Sequence, residues 1–123
     1  MSLVLWVFQA LLAVLFLIAG GLKIVAPLEA ISGLMPWVED FPRLQVAGIG
    51  IIEVCGAAGL VLPGMTRIAP VLTPLAAIGF VILMAGATVT HLGRGEAHLI
   101  GGNLAVIVIA AIVAWGRLRS WPL

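Results

Sequence analysis

The chain has little charge, with five acids and six lysines or arginines in 123 residues, no tyrosine and one cysteine. Each shortage excludes something. A soluble domain carries roughly a quarter charged residues, whereas only 9% are charged here. Too few polar side chains remain to cover a water-facing surface. A net charge of +1 gives no electrostatic footprint for nucleic acid. The single Cys55 rules out an intrachain disulfide and any cysteine-based metal cage. It sits among small apolar residues, where a cysteine behaves as a small hydrophobe. A CxxC pair, a dinucleotide fingerprint and haem ligands at bundle depth are all missing, as are internal repeats and low-complexity tracts.

What is present is apolar. Hydrophobic residues make up 63% of the chain, and the mean hydropathy is +1.30. Four apolar runs, at about residues 3–25, 44–62, 68–90 and 99–116, each approach the ~20 residues a helix needs to cross ~30 Å of hydrocarbon. They predict an all-α, integral membrane bundle of four transmembrane helices, up-down-up-down, in one domain spanning 1–123. The first run lacks a basic leader and exceeds a usual signal h-region, so a retained helix is expected. Both termini then lie on one side of the membrane, side A.

The connections differ in kind. "PGMTR" reads as a tight turn at Pro63–Gly64, and Pro70 and Pro74 fall near the start of the third span, where a missing amide costs least. "HLGRGEAH" joins the third and fourth spans on side B. "APLEAISGLMPWVEDFP" joins the first two, with three prolines, Trp37 and only negative charges. A loop of that length in a compact protein usually works as a lid or binding element. A short interfacial helix fits near Leu28–Leu34. Arg67, Arg117 and Arg119 belong to side A; Lys23, Arg43 and Arg94 belong to side B. Lys23 lies inside its span, and discounting it places side A in the cytoplasm by the positive-inside rule. Trp6, Trp115 and Trp121 suit headgroup level on that side.

Within "GIGIIEVCGAAGLVL" the one acid is Glu53. Its neighbours at helical spacing are Ile49, Gly50, Gly56, Ala57 and Leu60, a stripe of small residues suited to close helix approach. An ionisable group at this depth is expensive when unpaired. Lys23 is the expected partner: the two lie about 10 Å apart in depth at ~1.5 Å per residue, but their side chains lean toward each other. Gln9, Leu12, Phe16, Ala19 and Gly20 share the Lys23 face. His91 ends the third span, whose face carries Thr73, Ala77, Phe80, Met84, Ala87 and Thr88. Asn103 lies about one turn into the fourth span.

Lys23, Glu53, His91 and Asn103 thus come from four spans and share the side B half, under Trp37 and Met35. They are the candidate catalytic residues, and Trp37, Phe80, Met84 and Thr88 the candidate substrate-binding ones. Each also has a bland reading: a structural ion pair for Glu53, snorkelling for Lys23, an interfacial loop edge for His91, helix-packing glue for Asn103. His91, Glu96 and His98 on a turn make only a weak metal motif, and no metal site is expected.

"FLIAGGLKI", "MPW" and "IEVCGAAGLVLP", followed by "LTPLAAIGFVILMAGATVTHLGRGE" and "NLAVIVIAAIVAWGR", resemble the DoxX-like family of small bacterial four-helix membrane proteins over nearly the whole chain. Specificity rests on Lys23, Pro36–Trp37, Glu53, Pro63, Pro74, His91, Arg94–Glu96 and Asn103. The resemblance implies a bacterial inner membrane location and a link to thiosulfate:quinone oxidoreduction and redox complexes. It supplies no list of catalytic residues.

Three functions follow. A quinone-binding or redox-accessory subunit would hold a quinone in the side B pocket and exchange electrons with a redox partner protein. An acid–base enzyme (isomerase, epoxide hydrolase or cyclase) would act on a small apolar ligand through Lys23 or Glu53, with His91 or Asn103 steadying an oxyanion. A non-catalytic structural subunit would use its polar core to fix helix register. Transport would require a homo-oligomer.

Overall fold

The computed structural model describes residues 2–37 and 41–120. Glu39 and Asp40 of the acidic loop, and Trp121, lie outside the described residues. Among the described residues five α-helices form: α1 (Ser2–Val25), α2 (Leu28–Leu34), α3 (Arg43–Thr66), α4 (Leu72–Gly93) and α5 (Ile100–Trp115). Four stretches are long and apolar enough to cross a membrane, α5 being extended to Arg119 by a π-helical turn. The helices close a ring, α1 against α3, α3 against α4, α4 against α5 and α5 against α1.

Prolines set most of the boundaries. Pro27 restricts Ala26 and ends α1; Pro27 and Pro42 then occupy the positions just before α2 and α3. Pro74 falls in the first turn of α4, where amides have no helical acceptor anyway. Pro63 behaves differently. The tight turn expected at Pro63–Gly64 does not form there: α3 continues through both residues to Thr66, and the chain turns over residues 67–71 instead, with Arg67 and Ala69 at φ 58° and 48°. The third span accordingly begins at Leu72 rather than near residue 68.

Helix α3 survives its proline because a neighbour bonds the carbonyl that it strands, and a second neighbour bonds the carbonyl beside it. Pro63 has no N–H to give to Gly59, four residues back; the Thr73 hydroxyl donates to that carbonyl at 2.8 Å. The next carbonyl, Leu60 O, accepts from Gln9 Nε2 at 2.6 Å. This is how a membrane helix tolerates proline.

The core runs along the bundle axis: Leu12 and Phe16 of α1, Ala57 and Leu60 of α3, Ala77 and Phe80 of α4, and Ala110 and Val113 of α5. The outer surface is equally greasy, with Leu11, Leu17, Ile18, Ile52 and Ile82 all more than half exposed. That inversion is what a lipid solvent favours. The first connection builds a second, smaller core, in which Ile31 and Val46 are buried against Ala26, Met35, Trp37 and Phe41. It forms a folded cap over side B.

Candidate functional site

Helices α1 and α3 touch at two glycines. A Cβ on Gly20 would stand 2.7 Å from Gly50 O, and one on Gly50 would stand 2.6 Å from Gly20 O. Only glycine lets the backbones meet this closely. From that crossing, Lys23 lies one turn toward side B and Glu53 one turn toward side A. Both side chains lean back toward their own N-termini, which closes the gap: Lys23 Nζ sits 2.6 Å from Glu53 Oε1. The residues are 5% and 2% exposed. Trp37 lies over the pair, its ring centre 5.6 Å from Lys23 Nζ.

Arg43, the first residue of α3, holds the end of α1. Its guanidinium donates to Lys23 O and Ile24 O, both at 2.7 Å, and to Ala26 O at 3.3 Å. These are terminal carbonyls with no partner inside their own helix, at the negative end of its dipole. The backbone beneath Lys23 is thereby fixed from the same helix that carries Glu53.

A cavity of about 670 Å³ occupies the side B half of the bundle. Lys23, Glu53, His91 and Asn103 all line it, with Trp37 and Phe41 of the cap and an apolar wall that includes Phe16, Met84 and Val106. Leu15 and Ile82 also line it while being 47% and 68% exposed on the outer surface, so its wall reaches the lipid-facing side. The size suits a small organic ligand.

Asn103 Nδ2 is buried and has no hydrogen-bond partner. A buried donor left unpaired costs about 1–3 kcal/mol. His91 is bonded on one side of its ring: Nδ1 donates to Glu96 Oε1 at 3.0 Å, and Arg94 Nε donates to the same oxygen at 3.1 Å. The bond to His91, and then Arg94, hold the Glu96 carboxyl below its ordinary range.

Two expected lining residues lie elsewhere. Phe80 is 2% exposed and packs on Gly56, where an added Cβ would stand 2.5 Å from its Cζ. It stacks under Phe16 at 4.0 Å between ring centres, so Phe16 faces the cavity and Phe80 supports it. Thr88 turns its hydroxyl back to Met84 O at 2.8 Å and does not line the space; Ala87, Thr90 and His91 do. Met35 belongs to the small core of the cap. Among the described residues no three His, Cys, Asp or Glu side chains gather as for a metal ion, and His98 is exposed.

A second buried polar cluster lies in the side A half. Arg117, 3% exposed, donates from Nε to Gln9 Oε1 at 2.6 Å, and its guanidinium lies 5.6 Å from the Trp6 ring centre. Gln9 thus joins Arg117 to Leu60 O. Trp115 is 60% exposed nearby.

The profile of the DoxX-like family matches residues 7–113. The fold and the site define a small four-helix membrane protein with a polar-tipped apolar cavity, and the chain belongs to the DoxX-like family. No curated protein and no solved structure matches it.

Proposed function

We propose that this chain is a quinone-binding subunit of the bacterial inner membrane, serving a redox partner protein that exchanges electrons with the bound ring. The observation that carries this reading is Asn103, a residue lining the cavity whose buried Nδ2 has no hydrogen-bond partner. A quinone carbonyl would give it an acceptor. Phe16, Met84 and Val106 offer the ring an apolar bed, and the exposed Leu15 and Ile82 mark a route for an isoprenoid tail from the lipid.

The ion pair supports the same ligand class. Lys23 and Glu53 neutralise each other at 2.6 Å, so the cavity favours an uncharged ligand with polar oxygens over an anion or a cation. An ammonium has three donors, and those not turned to Glu53 are available to a second oxygen. Acid–base turnover of an apolar substrate would need Lys23 or Glu53 as a free base, and their mutual bond weighs against that. Orientation with cytoplasmic termini is supported by the exposed Arg67 and Arg119 on side A, whereas on side B Arg43 and Arg94 are engaged by α1 carbonyls and Glu96.

The test is equilibrium binding of a ubiquinone with one isoprene unit to the protein in lipid nanodiscs, read by thermal unfolding. Binding to the native state alone stabilises by about 2.7 kcal/mol at a hundredfold excess over Kd. A saturable rise in Tm is expected. No rise at saturating quinone contradicts the reading.

A further inference from the structure

Resting on the quinone reading, the hydrogen-bond polarity around His91 goes further, to the redox form of the ligand. We infer that Glu96 fixes the tautomer of His91 so that the cavity prefers a hydroxyl-bearing ring, a quinol, over the corresponding quinone.

An ionised carboxylate can only accept hydrogen bonds. Arg94 Nε, 3.1 Å from Glu96 Oε1, supports ionisation of that carboxylate. His91 Nδ1, 3.0 Å from the same oxygen, must therefore be the donor. In a neutral imidazole one nitrogen donates and the other accepts, so Nε2 carries the lone pair. A group that orients a histidine through one nitrogen decides what the other can do.

Among the residues that line the cavity, Asn103 thus has an unpartnered donor in Nδ2 and His91 has Nε2 as its remaining acceptor, while Lys23 and Glu53 are a paired donor and acceptor. A quinone oxygen can only accept. It answers Asn103 and Lys23 and leaves His91 without a partner. A quinol hydroxyl accepts and donates at once, so a quinol answers Asn103 or Lys23 and also donates a hydrogen bond to His91. Glu96 touches no ligand in this scheme. It is a positioning residue that acts through the ring.

The experiment measures binding of the same short-chain ubiquinone and its quinol, anaerobically and at one mildly alkaline pH. One exchanged hydrogen bond of about 1.4 kcal/mol corresponds to a factor of ten. Wild type is expected to bind the quinol about tenfold tighter than the quinone. In Glu96→Gln the new side-chain amide can donate to Nδ1, which releases the other tautomer, and the preference should fall toward one. Glu96→Asp, which keeps an acceptor-only partner, should retain a preference and show that folding is intact. Equal affinities in wild type overturn the inference and leave a quinone site standing. Unchanged selectivity in Glu96→Gln also overturns it. Binding of neither form overturns the quinone reading and this inference together.

Discussion

In the side A half of the bundle, Gln9, Thr73 and Arg117 are all engaged by the protein itself, Gln9 with Leu60 O and Arg117, Thr73 with Gly59 O. In the side B half, Asn103 Nδ2 is just as well hidden and is engaged by nothing, and a cavity of about 670 Å³ lies beside it. The same helices supply both clusters. The side A groups answer one another and the backbone of α3, where Pro63 leaves Gly59 O without its helical donor and Thr73 supplies one. The side B groups line a cavity, and among them Asn103 Nδ2 is left without a partner. Buried polarity in a membrane protein is therefore not evidence of a site until its partners have been counted.

The largest expected effect comes from splitting the ion pair. Breaking a buried pair by removing one partner costs about 3–5 kcal/mol, whereas replacing both by apolar residues is often neutral. Lys23→Met should therefore destabilise the bundle by about that amount, and Lys23→Met with Glu53→Leu should recover most of it, as measured by reversible unfolding in mixed micelles. A double variant as unstable as the single would show that the pair does more than neutralise itself.

A smaller effect separates the two clusters. Gln9→Leu leaves Leu60 O and the Arg117 guanidinium each short of a partner, and should destabilise by about 1–3 kcal/mol while quinone affinity stays at the wild-type value. Loss of quinone binding without loss of stability in Gln9→Leu would erase the distinction drawn here.

The smallest effect is acidic. Because the Glu96 carboxyl is held below its ordinary range by His91 and Arg94, its contribution is fully present above the unfolded carboxylate value. It disappears as pH falls through the depressed folded value. Amides of the α4–α5 turn should lose protection over that acid window, beyond the intrinsic pH dependence of exchange, and Glu96→Gln should remove the excess.

Much of the fold could be read directly from residues. Four apolar runs, the first three separated by prolines and the last two by a charged, glycine-containing turn, gave the spans, and the Gly20 and Gly50 faces led to the Lys23–Glu53 contact through helix geometry alone. Pro63 misled because its local chemistry says turn. The groups that rescue the helix, Gln9 and Thr73, are 54 and 10 residues away in sequence, and nothing local to the proline announces them. Phe80 and Thr88 misled for a related reason. Spacing along α4 names a face but not its rotation, which Gly56 sets by receiving the Phe80 ring. Glu96 was visible as part of a charged turn, yet its bond to His91 depends on how that turn closes.

The most direct measurement is the quinone-dependent rise in Tm for Asn103→Leu beside wild type. If Asn103 is kept for a ligand, the variant without quinone should unfold at or above the wild-type temperature, because an unpaired buried donor has been removed. Its response to quinone should be largely gone. A variant that is less stable alone but responds to quinone like wild type would make Asn103 a packing residue and would refute the assignment of the cavity as a binding site.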